Sequence, residues 1–230
     1  MVMVTSPLMR RFYVALAIFD LDNTLLAGDS DYLWGRFLVD KEIVDGNEYT
    51  AENERFYQAY QAGTLDIHGY LRFALRPLAQ HELRQLRAWR AQFIDEHIRP
   101  IVLDQGRELV ELHRDRGDTL LIITATNRFL TEPIAALFGI DHLLATDPEM
   151  AGERYTGAIQ GIPTFREGKI KALEAWSKHT GHQLTDSYFY SDSHNDIPLL
   201  ERVAYPVAVD PDPELRQQAA QRGWPIISLR

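Results

Sequence analysis

The apolar run Val14-Ala15-Leu16-Ala17-Ile18-Phe19 passes straight into Asp20-Leu21-Asp22-Asn23-Thr24, and this junction constrains the fold more than any other stretch of the chain. A continuous apolar run closed by turn residues reads as a buried strand. Two carboxylates at the carboxyl end of such a strand are not packing residues, because an unpaired buried charge costs several kcal/mol or neutralises itself. A divalent cation between them would satisfy both, which places Asp20 and Asp22 in a site.

From Gly28 to about Leu103 the spacing is helical and no strand is predicted. Tyr32, Leu33, Trp34, Phe37 and Leu38 mark one helix, and Phe56, Tyr57 and Tyr60 a second. Ile67, Tyr70, Leu71 and Leu75 mark a short third that stops at Pro77; Leu83, Leu86, Trp89, Phe93 and Ile98 mark a fourth ended by Pro100. The pattern then alternates. Helices are predicted over 108–116, 130–138, 170–178 and 197–203, strands over 119–124, 187–190, 205–209 and 225–228, and a hairpin arm over 155–159.

Strands alternating with helices predict an α/β fold, a Rossmann-like parallel sheet flanked by helices. Residues 1–27 and 104–230 would form that core, with 28–103 a helical insertion after the first strand. Ligands in such sheets bind beyond the carboxyl ends of the strands. Asp20, Asp22, Thr124 and Asp192 all fall at predicted ends of this kind.

Composition removes several classes. A net charge of −9 with no Lys/Arg run disfavours nucleic acid as a partner. The absence of cysteine excludes disulfides, thiolate metal sites and thiol catalysis. Met1 to Arg10 lacks the apolar core and cleavage site of a secretory leader, and the run before Asp20 is too short to span a bilayer. The expectation is a soluble, cytoplasmic protein with no membrane partner. The aromatic-rich insertion suits internal packing and a subunit contact equally, so the oligomeric state is not legible. Among eight histidines only His194 lies near a motif, and it is expected as a surface-loop residue.

Four elements in order carry a family resemblance: Asp20-Leu21-Asp22-Asn23-Thr24; Thr124 after Leu120-Leu121-Ile122-Ile123; Lys169 at a helix start, with Lys171 as its competitor; and Asp192-Ser193-His194-Asn195-Asp196. Together they resemble the haloacid dehalogenase-like superfamily of phosphoryl-transfer enzymes, over essentially the whole chain. The resemblance implies Asp20 as the nucleophile that forms an aspartyl-phosphate. It implies Asp22 as the acid and base that protonates the leaving oxygen and then activates water. Mg²⁺ is implied, held by Asp20, the Asp22 backbone carbonyl and Asp192. Thr124, Ala125, Lys169 and backbone N–H groups near Asn23 would hold the phosphate oxygens. Asp196 and Asn195 would stand behind the metal and orient its surroundings.

A helical insertion between the first two motifs is similar to the cap of subfamily IB, the phosphoserine-phosphatase-like branch. Such a cap closes over the core and touches the leaving group. Asp29 and Asp31, and Glu54 with Arg55, are the residues that could meet an amino or carboxylate group; the alternatives are a helix start for the first two and a solvated charge pair for the others. Trp34, Phe56, Tyr57 and Tyr60 are expected mainly in the insertion's own core. The chain departs from phosphoserine phosphatases proper at Asn23, at Thr124-Ala125-Thr126 and at Ser193. It resembles more closely the bacterial members of the branch described as histidinol-phosphate phosphatases. The implied activity is a phosphatase of amino-acid biosynthesis acting on a small phosphate ester, histidinol phosphate first and phosphoserine second. A phosphotransferase on the same fold and a non-catalytic binding module are the readings from other classes. A dehalogenase is disfavoured, because that chemistry uses no Mg²⁺.

Overall fold

The computed structural model describes residues 15–230. Val14 and the segment Met1 to Arg10 lie outside them. At the centre is β1 (Leu16–Phe19), paired in parallel with β2 (Thr119–Asn127) on one side and β5 (Ser187–Ser191) on the other. Beyond β2 follow β3 (His142–Ala151) and β4 (Arg154–Gln160); beyond β5 follow β6 (Tyr205–Val209) and β7 (Ile226–Ile227). Among the described strands only β3 and β4 pair antiparallel.

The two-residue period of a strand divides the core between the faces. Leu16 and Ile18 join Leu121, Ile123 and Phe189 on one face. Ala17 and Phe19 join Ile122 and Tyr190 on the other. Burying each large apolar side chain contributes about 1.5–3 kcal/mol, so the register of β1 is firmly set and the position of Asp20 with it. The flanking helices are α6 (Asp104–Asp115), α7 (Arg128–Leu137), α8 (Glu167–Thr180), α9 (Ile197–Leu200) and α10 (Pro213–Arg222).

Between β1 and α6 the regular structure of the described residues is helical: α1 (Ser30–Asp40), α2 (Gly46–Gln61), α3 (Ile67–Ala74), α4 (Arg76–Gln80) and α5 (Leu83–Phe93). The chain leaves and returns side by side. Ala27 N–H donates to the Ile101 carbonyl at 2.7 Å and Leu103 N–H to the Leu25 carbonyl at 3.1 Å. Trp34, Phe37 and Phe93 pack ring against ring beneath this segment, with Trp34–Phe93 centroids 5.1 Å apart.

Several boundaries differ from the sequence expectation. Pro77 does not end the helical run; it sits in the first turn of α4, where its fixed φ and missing N–H are tolerated. Pro100 lies in a 3₁₀ turn (Arg99–Ile101) that follows a π turn (Ile94–Ile98). β2 continues past Thr124 to Asn127, because β3 rejoins it at Asn127–Thr146 after a register shift. The expectation missed β3 altogether, since its apolar core is only Leu143-Leu144-Ala145. It also missed α10, which has no apolar stripe and buries only Leu215 and Ala219. The helix predicted over 197–203 is the single turn α9.

Candidate active site

The strand order doubles back at β1, whose neighbours lead away in opposite directions, and this is where a crevice opens in a parallel sheet. Asp20 extends the ladder by one bond, its N–H donating to the Tyr190 carbonyl at 2.9 Å. The residue is 5% exposed. Lys169, in the first turn of α8, donates from Nζ to Asp20 Oδ1 and to Asp196 Oδ2, both at 2.7 Å. Ser191 Oγ donates to the same Asp196 oxygen at 2.7 Å. Lys169 is buried and Lys171 exposed, so geometry brings only the former to the carboxylates.

One buried ammonium is therefore shared by Asp20 and Asp196. Burial pushes the Asp20 carboxyl up to about 7 against the pull of Lys169, and Asp196 adds to the rise. Burial, then the charge of Asp20, raises Asp192 well above the usual carboxylate range. For Lys169 burial opposes the charge, but Asp196 and Asp20 overcome it and hold the ammonium protonated above its ordinary value.

Asp22 is engaged differently. Its Oδ1 accepts from Ser30 N–H at 2.7 Å and its Oδ2 from Thr126 Oγ1 at 2.8 Å. Burial, reinforced by Asp29, raises it to about 7. A carboxyl held there can both give and take a proton near neutrality. Thr124 is buried, its Oγ1 accepting from Thr126 N–H at 3.1 Å, and with Ala125 it lines the cavity above Asp20.

Some expected residues lie elsewhere. Asn23 takes a positive φ of 56°, and its N–H donates to the Gly28 carbonyl at 3.0 Å, so that amide is not available to phosphate. Arg55 is exposed and paired with Glu52 at 2.7 Å, one helical turn away, rather than with Glu54. Glu54 accepts from Tyr32 Oη and Gln58 and does not line the cavity. His194 is not a solvated loop residue: its side chain is 11% exposed and its Nδ1 lies 2.7 Å from Asp212. Trp34 is core, whereas Phe56, Tyr57 and Tyr60 line the cavity.

Other residues complete the site without having been assigned a role in it from sequence. Thr24 is fully buried; its Oγ1 lies 3.2 Å from Asp192 Oδ1 and 3.4 Å from Asp20 Oδ2, and accepts from Asp192 N–H at 3.1 Å. Its place one residue beyond Asn23 in the first motif was the available cue. Tyr70, Asn53 and Phe165 reach the cavity only through tertiary packing.

The donor set fits a hard divalent cation. Asp20 presents a buried carboxylate and Asp192 a partly buried one, both beside Thr24 Oγ1, and Lys169, shared with Asp196, is the ammonium bonded to Asp20. Because Ser30 and Thr126 occupy the Asp22 side chain, its backbone carbonyl is the donor left to it. No cluster of three His, Cys, Asp or Glu side chains forms a cage among the described residues. A small cation that keeps waters and substrate phosphate in its shell needs only one or two carboxylates.

The helical wall of the cavity comes from α1, α2 and α3 and the loops beside them. It presents Asp29 and Asp31 amid Tyr32, Phe56, Tyr57, Tyr60 and Tyr70. Asp29 caps α1, its Oδ1 accepting from the Asp31 and Tyr32 N–H groups at 3.0 and 2.8 Å. Asp31 is 8% exposed and accepts, at 3.4 Å, from Asn127 Nδ2, with the Tyr70 hydroxyl near enough to favour its charged form. Burial raises Asp29 to about 6 and Asp31 to about 7.

A mostly parallel sheet with a carboxylate just past the end of its central strand, backed by a buried lysine and a second acidic loop, forms the site of an α/β enzyme at the sheet's topological switch point. Residues 17–201 match the model of the haloacid dehalogenase-like hydrolases, and the chain belongs to that family. Within it the chain is a phosphatase. It is 44% identical over 219 residues to the histidinol-phosphatase of Neisseria meningitidis, covering 94% of this chain and 99% of that one. It is 32% identical to a phosphoserine phosphatase of Mycobacterium tuberculosis, covering 94% of this chain and 71% of that one. A Bordetella pertussis protein of unknown function superposes with a TM-score of 0.89 at 45% identity, covering 94% and 99% of the two chains. A phosphoserine phosphatase caught as an analogue of its phospho-aspartyl intermediate shares the fold, with a TM-score of 0.70 at 18% identity over 94% and 93%. Among the described residues no helix is long and apolar enough to cross a membrane.

Proposed function

We propose that the protein is a Mg²⁺-dependent phosphomonoesterase that works through an aspartyl-phosphate on Asp20, with histidinol phosphate as its substrate and amino-acid biosynthesis as its setting. Residues 28–103 act as a cap over the core formed by 1–27 and 104–230. Asp20, Asp192 and the Asp22 carbonyl would hold the ion, which when bound offsets the negative charge of the phosphate. Lys169 and Thr124 bind phosphoryl oxygens, helped by the backbone around Ala125. Asp20 attacks phosphorus, and the Asp22 carboxyl gives its proton to the leaving oxygen. Asp22, now ionised, then takes a proton from the water that hydrolyses the acyl phosphate. Asp196 and Asn195 orient the lysine and its loop.

One observation carries the choice of substrate. Lys169 is the only cation lining the cavity among the described residues, and Asp20 and Asp196 share it, while the cap wall offers Asp29, Asp31 and aromatic rings. Such a wall suits an ammonium and a flat, protonatable imidazole. It gives no partner to the carboxylate of phosphoserine, since Arg55 points outward to Glu52. The name carried by the Neisseria relative agrees with this reading.

The test is phosphate release from histidinol phosphate, phosphoserine and sugar phosphates, with Mg²⁺ or EDTA, for wild type and Asp20→Asn. Metal-dependent release favouring histidinol phosphate and abolished in the variant is expected. Equal release from phosphoserine would refute the substrate, and near-wild-type activity of Asp20→Asn would refute the mechanism. Consumption of the ester only when an alcohol acceptor is added, with the phosphoryl group recovered on the acceptor and not as free phosphate, would indicate a phosphotransferase. No release from any ester would leave a binding module.

A further inference from the structure

Two segments of the core deliver the groups around Asp20: the start of α8, with the turn before it, brings Lys169, and the loop after β5 brings Asp192 and Asp196. Both touch the same short stretch of the cap, the end of α2 and the turn beyond it. Asn195 Nδ2 donates to the Tyr60 carbonyl at 3.3 Å, and Tyr60 Oη lies 3.4 Å from Ser193 Oγ. Arg166 joins all three. Its Nε donates to Asn195 Oδ1 at 2.9 Å and its guanidinium donates to the Gly63 carbonyl at 2.5 Å. The guanidinium also stacks on Phe165, 5.1 Å from the ring centroid, and Phe165 faces Tyr60 inside the cavity.

Two backbone features show that this junction is built under constraint. Arg166 has φ 49° and ψ −119°, a conformation that steric clash with Cβ denies to most L-residues and leaves to glycine. Gly63 also has a positive φ, 68°, and a Cβ there would stand 2.7 Å from His194 Nε2 and 3.3 Å from the Arg166 guanidinium. The cap turn is therefore seated directly on the two core loops with no room for a side chain.

We propose that Arg166 is a positioning residue that couples the seating of the cap to the placement of Lys169 and Asp196. It sits three residues before Lys169, with its carbonyl accepting from Lys169 N–H at 2.9 Å, and its side chain holds the residue next to Asp196. When the cap turn lifts, Arg166 loses the Gly63 carbonyl and its hold on Asn195 loosens. When the cap seats, both core loops are pinned, and the acyl phosphate is shielded from solvent nucleophiles other than the water that Asp22 activates. This rests on the reading of Asp20 as the nucleophile and of residues 28–103 as a cap.

Arg166→Gly and Arg166→Lys test it, because glycine accepts the backbone conformation while removing the whole side chain, and lysine keeps a cation and its stem but loses the guanidinium fork. The first readout needs no activity: hydrogen exchange of the amides from Ala62 to Thr64, whose N–H groups are bonded within the turn. Arg166→Gly should speed that exchange about ten- to a hundredfold, as expected for loss of hydrogen bonds to a charged group, with the central sheet unchanged. The second is the partition of the phosphoryl group between water and added methanol. Arg166→Gly should raise the methyl phosphate fraction several-fold and raise KM more than it lowers kcat, with Arg166→Lys in between. Unchanged exchange would overturn the coupling. So would faster exchange with an unchanged partition, because a merely structural arginine would loosen the turn without altering the fate of the intermediate. If the wild type releases no phosphate, the functional reading fails, and the exchange arm alone decides whether Arg166 seats the turn.

Discussion

Replacing Asp31 by Asn should change stability in opposite directions at low and high pH. Asp31 is 8% exposed and has no cationic partner among the described residues; burial raises its carboxyl from 3.8 to about 7. Between those values the folded protein holds a proton that the unfolded chain has released, so stability falls as pH rises through this window. About three pH units at about 1.36 kcal/mol each make a loss of at most about 4 kcal/mol, since water entering the cavity would solvate part of the charge. The amide escapes this loss. It does trade one acceptor oxygen for an amide NH2 beside Asn127 and Tyr70, at a cost of about 1 kcal/mol at any pH. Asp31→Asn should therefore be less stable than wild type by about 1 kcal/mol near pH 4 and more stable by up to about 3 kcal/mol near pH 8. Urea denaturation in EDTA at intervals from about pH 4 to 8 measures the difference, the other carboxylates titrating in both proteins. A gap that stays constant across that range would refute the idea that burial holds Asp31 neutral. The same variant should lose affinity for a cationic phosphate ester while keeping its affinity for inorganic phosphate.

Lys169→Met removes the one ammonium between Asp20 and Asp196 and leaves buried carboxylates uncompensated. A loss of about 3–5 kcal/mol is expected at about pH 8, shrinking at lower pH as the carboxyls protonate, and pH-resolved denaturation reads it. His113 is fully buried between Asp118 and Tyr190 Oη, 2.7 and 2.8 Å away. His113→Phe strands both partners and should cost about 1–3 kcal/mol; an unchanged urea midpoint would show that the pair is readily rehydrated.

The class of fold and the centre of the site were written in local sequence. The run ending at Phe19 reads as a buried strand because it is apolar on both faces, too short for a buried helix, and closed by turn residues. Asp20 and Asp22 stand out because carboxylates at such an end need a partner. Periodicity likewise revealed the helical nature of 28–103, although Pro77 at the start of α4 looked like a stop. Local signals failed where a residue's setting is long-range. β3 is short in apolar residues and exists because β2 and β4 pair with it, and that pairing carries β2 beyond Thr124.

Tertiary structure alone decided which polar groups meet. Lys169 and Lys171 are indistinguishable by composition, yet the winding of α8 turns one onto Asp20 and the other to solvent. Asn23 looked like a phosphate ligand, but its turn commits that N–H to Gly28. Glu54 and Arg55 could be read as substrate contacts or as a solvated charge pair, and α2 presents Phe56, Tyr57 and Tyr60 to the cavity in their place. Charge and hydrogen-bonding capacity belong to the residue and can be read in order along the chain. Distance, burial and the resulting shift in proton affinity belong to pairs of residues far apart in sequence, and folding creates them.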